Sequence, residues 1–118
     1  MTDAETAVAT DALFAGKDAT VLATYRRILD AVRPLGPFRE EPKKTSIHLA
    51  RTSGFAGVHP KKSALTLTIR TERPIASPRV AKAEQVSKNR YHNDLKLTAP
   101  HEVDAELIGW LEEAYALG

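Results

Sequence analysis

The segment Ala64-Leu65-Thr66-Leu67-Thr68-Ile69-Arg70-Thr71 alternates aliphatic and polar side chains without interruption. Successive side chains of a β-strand point to opposite faces, so this alternation predicts a strand with one buried face and one exposed face. The β-branched threonines suit the exposed side of a pleated surface. The fold is therefore expected to contain a sheet with two unlike faces.

The same period of two recurs on both sides of this strand. Residues 46–51 alternate, and Thr52-Ser53-Gly54 supplies the turn residues of a hairpin that leads to a strand at 55–58. Phe55 and Val58 have opposite parity, which predicts a bulge or twist near Gly57. The last strand is predicted at residues 91–97. The inner face would carry the aliphatic residues Ile47, Leu49, Leu65, Leu67, Ile69, Leu95 and Leu97, and the outer face His48, Thr66, Thr68, Arg70, His92, Asp94 and Lys96.

Two further segments have weaker strand signals. Residues 38–41 are expected to form a short edge strand, because Pro42 cannot donate to a ladder. Residues 72–89 are interrupted by Pro74 and Pro78 and are interpreted as a loop with a short irregular strand around residues 79–87. The sequence thus predicts four to five strands.

Apolar residues at helical spacing occur both before and after the predicted strands in the sequence. Apolar residues spaced by three and one between Val21 and Leu35 predict a helix that Asp18 would cap. A second stripe predicts a final helix from near Thr98, with Pro100 in its first turn. The predicted fold is two-layer α+β, an antiparallel sheet with an N-terminal and a C-terminal helix packed on one face. We expect residues 1–11 to be disordered or frayed and residues 12–118 to form a single α+β domain.

The composition of the chain excludes several classes of protein. The chain has 118 residues and no cysteine, which excludes disulfides and thiolate chemistry and favours a reducing cytoplasm. No apolar run reaches the length of a membrane span, and the N-terminus lacks the pattern of a signal peptide. We therefore expect a cytoplasmic protein with no membrane partner.

Charge is distributed unevenly along the chain. Residues 37–98 contain 13 Lys and Arg against 5 Asp and Glu, a net charge of +8, whereas the flanks carry a net charge of −6. Lys and Arg on strands also protect sheets from aggregation, so solvation alone is one explanation. The alternative is a basic surface for an anionic partner, either a nucleic acid or a phosphorylated ligand. The candidate anion-binding residues are Lys44, His48, Arg51, Arg70, Arg90, His92 and Lys96.

The sequence contains none of the common catalytic or phosphate-loop motifs, so we predict a non-enzymatic binding module with no catalytic residues, no metal and no cofactor. A rival hypothesis uses His48, His92 and Asp94 for metal handling or catalysis, provided that they converge. A third hypothesis is a protein-interaction domain, such as a homodimer through an uncovered sheet edge.

An ordered set of segments resembles an uncharacterised bacterial domain-of-unknown-function family. The resemblance covers roughly residues 12–117, and the segments that carry it are Lys43-Lys44-Thr45-Ser46-Ile47, residues 55–60, Arg79-Val80, residues 89–92 and 95–97, and residues 103–108 with Trp110-Leu111 and Ala114-Tyr115. The resemblance implies a domain that occurs alone or as the C-terminal module of predicted transport proteins, and it implies no assigned activity. A looser likeness in element order is to frataxin-like iron chaperones, but the first long helix has few of the carboxylates that those proteins use.

Overall fold

A computed structural model describes residues 2–118, which form an α+β fold of three α-helices and one six-stranded antiparallel sheet. The elements in chain order are α1 (Asp3–Ala12), α2 (Ala19–Val32), β1 (Arg39–Pro42), β2 (Ile47–Ala50), β3 (Gly54–Pro60), β4 (Leu65–Thr71), β5 (Val80–Ser87), β6 (Arg90–Leu97) and α3 (Ala105–Leu117). Short 3₁₀ turns follow α2 and precede α3. The α+β class and the packing of helices on an antiparallel sheet are confirmed.

The sheet has six strands in the order β1-β2-β3-β4-β6-β5, so the predicted count of four to five was too low. The underestimate concerns the two edges. β1 has only four residues and ends at Pro42, and β5 is exposed on nearly its whole length. A strand that buries neither face shows no alternation in its sequence, which explains why only a short irregular strand was predicted around residues 79–87.

The inner face of the sheet carries the predicted aliphatic residues, and all seven are almost completely buried. Helices α2 and α3 cover this face, and α2 contributes Tyr25, Ile28 and Val32 to the core. The Tyr25 hydroxyl donates to Glu40 Oε1 at 2.5 Å, and burial with this neighbouring carboxylate raises its pKa far above the ordinary value. Tyr25 is therefore a packed core residue whose polar tip is satisfied.

A bulge in β3 turns Phe55 into the core. Leu49 pairs with Ala56 and Ala50 with Gly54, which leaves Phe55 as the extra residue. Phe55 is fully buried and packs edge-on against Tyr115 of α3. The predicted irregularity in this strand exists, but it lies at Phe55 rather than at Gly57, since Phe55 needs the inward orientation.

The segment at Asp3–Ala12 is helical, whereas a disordered or frayed terminus was expected for residues 1–11. Thr2 caps the helix, because its Oγ1 accepts from the Glu5 amide at 3.1 Å. The helix buries only Thr10 and lies against β1. Met1 is outside the described residues.

The final helix begins at Ala105, seven residues later than predicted. Asp104 caps it, accepting from the Leu107 amide at 3.1 Å. Arg79 donates to Asp104 Oδ1 at 2.9 Å and, through Nη2, to the Glu102 carbonyl at 2.7 Å. This arginine therefore ties the segment before β5 to the start of α3.

Asn93 is a polar residue on the inner face whose side-chain nitrogen and oxygen both have hydrogen-bond partners. Its Nδ2 donates to the Ile69 carbonyl at 2.9 Å and to Thr71 Oγ1 at 2.8 Å, and its Oδ1 accepts from the Ile75 amide at 2.9 Å. Asn93 is fully buried. These bonds attach the loop between β4 and β5 to the centre of the sheet. Within residues 2–118, no helix is both long and apolar enough to cross a membrane.

Candidate anion-binding pocket

The outer face of the sheet gathers polar side chains through its cross-strand register. One row of directly opposite residues crosses four adjacent strands. Its members, in order from β2 to β6, are His48, Gly57, Thr68 and Asp94. One row along, Arg70 pairs with His92. Directly opposite residues on one face have adjacent Cβ atoms, so the register places these groups side by side.

These rows line a cavity of about 310 Å³, which we call the outer-face pocket. That volume is at the lower end of the range for small-ligand sites. The residues that line it come from β2, β3, β4, β5 and β6, and they are His48, Gly54, Phe55, Ala56, Gly57, His59, Thr68, Arg70, Glu84, Arg90, His92 and Asp94.

Gly57 forms the floor of the outer-face pocket. A methyl group at this position would lie 3.9 Å from the nearest atoms of both His48 and Thr68, which is an ordinary van der Waals distance. The residue can therefore accept a side chain, and any side chain larger than a methyl group would project into the cavity. The absence of a side chain at Gly57 is what leaves the centre of this face open.

Two arginines lie at one end of the pocket. Arg70 is oriented by the β2–β3 turn, since its Nη1 donates to Ser53 Oγ at 2.8 Å and to the Gly54 carbonyl at 3.3 Å. Arg90 Nε is buried and has no hydrogen-bond partner among residues 2–118. An unpaired buried donor is costly, and an acceptor in the pocket reaches this atom only when the Arg90 side chain shifts.

The two guanidinium groups share the pocket with two carboxylates, Glu84 and Asp94. Neither Arg70 nor Arg90 forms an ion pair with a carboxylate of the described chain, residues 2–118. Burial, and after it the charge of Arg90, lowers the pKa of Arg70 from its ordinary value. An anion bound between the two arginines would make the direct contacts that these carboxylates do not make.

The acidic side chains of the pocket are already engaged. Asp94 Oδ1 accepts from Thr68 Oγ1 at 2.6 Å, and Glu84 forms a 3.2 Å ion pair with Lys82. Glu84 lies opposite His92 across the β5–β6 pair. The carboxylates thus do not neutralise the arginine end of the pocket directly.

Three histidines complete the lining. Burial, followed by the charge of Lys61, lowers the pKa of His59, and burial, followed by the charge of Arg90, lowers the pKa of His92. Both imidazoles are therefore mostly neutral near pH 7, and each offers one donor and one acceptor. The arrangement combines fixed cations with neutral hydrogen-bonding groups.

Four of the seven predicted anion-binding residues line the outer-face pocket: His48, Arg70, Arg90 and His92. Lys96 is exposed on the same face, opposite Thr66, but it does not line the cavity. Lys44 is an exposed residue of the β1–β2 turn. The structure therefore brings together only part of the predicted set.

Arg51 packs on the opposite side of the sheet from the outer-face pocket. Its guanidinium carbon lies 4.8 Å from the centre of the Tyr115 ring, and its Nη1 donates to the Tyr115 carbonyl at 3.3 Å. The side chain thus stacks on the last turn of α3 and adds a second donor to the Tyr115 carbonyl, which also accepts from the Gly118 amide. It is placed to stabilise the helix rather than to reach the pocket.

Sequence reasoning did not select His59, Glu84 or Gly57 for the site. The predicted strand ended at Val58, but β3 continues to Pro60, and His59 has the same parity as Gly57. If the predicted strand had been extended to Pro60, this parity would have placed His59 on the outer face. Glu84 carried no such signal, because the irregular strand predicted around residues 79–87 shows no alternation that would assign its side chains to one face.

The metal hypothesis required His48, His92 and Asp94 to converge. All three line the pocket, yet no group of three or more His, Asp or Glu side chains in residues 2–118 is arranged so that it could hold a metal ion. The cross-strand register explains this, since His48 and Asp94 are separated by β3 and β4.

Residues 10–118 match the model of a protein family described as a domain of unknown function, DUF5655. The chain belongs to this family. The match confirms the resemblance noted in the sequence, and it extends over α2, the whole sheet and α3 of the DUF5655 domain. Neither the curated proteins nor the solved structures contain a match.

Proposed function

We propose that the DUF5655 domain is a non-enzymatic binding module that takes a small phosphorylated ligand into its outer-face pocket. The observation that carries this proposal is the pair of pocket arginines, Arg70 and Arg90, which have no carboxylate partner within residues 2–118. A phosphate offers several strong acceptors to a guanidinium group and compensates its charge.

The unpaired Nε of Arg90 supports the same assignment. This atom is buried and has no hydrogen-bond partner among the described residues, so a phosphate oxygen would satisfy it once the Arg90 side chain turns toward the cavity. Arg70 is already oriented by the β2–β3 turn, and little side-chain freedom remains to be lost on binding.

The rest of the cavity suits the body of a small ligand. Beyond the arginines, the imidazoles of His48 and His92 and the open floor at Gly57 provide hydrogen-bonding groups and space. A polyanion along a basic face is supported less well, since Lys44, Arg51 and Lys96 do not line the pocket. The favoured ligand is therefore compact and enters a cavity.

Titration of the isotope-labelled protein with inorganic phosphate, pyrophosphate and a nucleoside monophosphate tests the proposal. We expect amide shifts concentrated on residues that line the pocket, and the variant Arg90→Gln should weaken binding about tenfold or more, because one charge-assisted contact is lost. Gly57→Leu should weaken binding further, since its side chain occupies the cavity.

Lys96→Gln is the matched control, because it removes a positive charge from the same face outside the pocket. It should leave affinity for these anions almost unchanged. The pocket proposal is wrong if Lys96→Gln and Arg90→Gln weaken binding equally. It is also wrong if a single-stranded oligonucleotide is the only anion bound and loses affinity in Lys44→Gln as much as in Arg90→Gln.

A further inference from the structure

The two edges of the sheet are built differently. β1 has four residues, ends at Pro42, and is partly covered by α1. Short length, proline and a covering helix are the usual means by which an edge strand is protected from pairing. β5, at the opposite edge, has eight residues, contains no proline and has seven exposed residues.

The exposed edge also carries an apolar side chain. Val86 is 49% exposed and is one of two large hydrophobic residues exposed in the described part of the chain. Bulges lie at Ala81 and Val86, and between them β5 remains in regular register with β6 from Lys82 to Gln85. This regular stretch presents backbone groups that no element of the fold pairs.

The charges on this stretch are complementary to those of a second, antiparallel copy of the same stretch. Lys82 and Glu84 lie on the same face, two residues apart, with Ala83 between them. When a second copy of β5 pairs antiparallel about an axis through Ala83, Lys82 of each copy lies opposite Glu84 of the other. An axis through Lys82 or Glu84 instead sets like charges opposite each other, which destabilises those registers.

We propose that β5 is a homodimerisation edge, at which two copies of this chain join their sheets antiparallel about an axis through Ala83. Such a contact is isologous, as two-fold dimers require. The outer-face pockets of both copies then lie on the same side of a continuous sheet. Glu84 lines the pocket, so pairing also gives this carboxylate a second cationic partner, Lys82 of the other copy.

Sedimentation equilibrium across about 10 μM to about 1 mM protein measures this association. A short edge contact predicts a weak, concentration-dependent dimer. Glu84→Lys should weaken it about tenfold or more, because four lysines then meet at the axis. The double variant Lys82→Glu with Glu84→Lys should dimerise like the natural chain, since the exchanged charges are again complementary.

Glu41→Lys changes a charge at the protected edge and should leave dimerisation unchanged. A monomer at every concentration overturns the proposal. So does a Glu84→Lys variant that dimerises as strongly as the natural chain, or a double variant that stays as weak as the single one. Thermal melting of each variant identifies any loss of folding.

A cross-link tests the position of the axis. The chain contains no cysteine, so Ala83→Cys introduces a single thiol. Residues opposite each other across an antiparallel pair lie within disulfide distance, and mild oxidation should therefore produce a covalent dimer. Ser87→Cys, four residues from the axis, should cross-link far less. Equal cross-linking of the two variants contradicts the register.

Discussion

The two faces of the DUF5655 sheet differ in how completely their polar groups are satisfied. On the inner face, the buried amide of Asn93 makes all three of its bonds within the fold. On the outer face, Arg90 Nε is buried without a partner, and together with Thr10 Oγ1 of α1 it is one of two such side-chain atoms in residues 2–118. The inner face is thus complete as a core, whereas the outer face has bonding capacity that folding does not use.

This contrast predicts that neighbouring residues of β4 have unlike effects on stability. Leu67 is fully buried on the inner face, so Leu67→Ala should lower the free energy of unfolding by about 3 kcal/mol through lost burial and a residual cavity. Thr68→Ala, one residue away on the outer face, should cost only about 1 kcal/mol, the value of one hydrogen bond. Urea denaturation measures both, and equal losses would show that the two faces contribute alike.

Substitution of the buried Asn93 should have a smaller effect on the free energy of unfolding than substitution of Leu67. Asn93→Ala removes three hydrogen bonds and leaves their partners unpaired, which should lower the free energy of unfolding by about 2 kcal/mol. Amide hydrogen exchange at Ile75 should also accelerate, because its amide donates to Asn93. Unchanged exchange at Ile75 would mean that the loop is held independently of this residue.

The smallest predicted effect is a pH dependence that arises on the outer face. Burial lowers the pKa values of His59 and His92 in the folded protein, with positive neighbours as the next cause. As pH falls through about 6.5, the unfolded chain takes up protons before the folded one does. Stability should therefore be full above this pH and decline below it, which urea denaturation at about pH 7.5 and about pH 5.5 measures.

The double variant His59→Gln with His92→Gln should show a flatter dependence over the same interval. Asp104 does not interfere there, because the Leu107 amide and Arg79 lower its pKa and its contribution is lost only at more acidic pH. An equally steep decline in the double variant would assign the dependence to other groups.

Much of the fold could be predicted from local pattern. The alternation of residues 64–71 assigned Leu67 and Thr68 to opposite faces, and the helical spacing from Val21 onward located α2. Side-chain period follows from backbone geometry alone, which makes such assignments possible from the sequence. β5 was predicted only as a short irregular strand, and α1 was expected to be disordered or frayed, because both bury little surface and leave no periodic signal.

In β2, β4 and β6 the inward and outward residues follow from the sequence alone, since a period of two needs no partner strand. The placement of Arg70 and Arg90 in one pocket, with Arg51 stacked on α3, emerges only when the chain is folded. A site across several strands depends on their order and register, because these are set by long-range pairing and by the bulge that turns Phe55 inward.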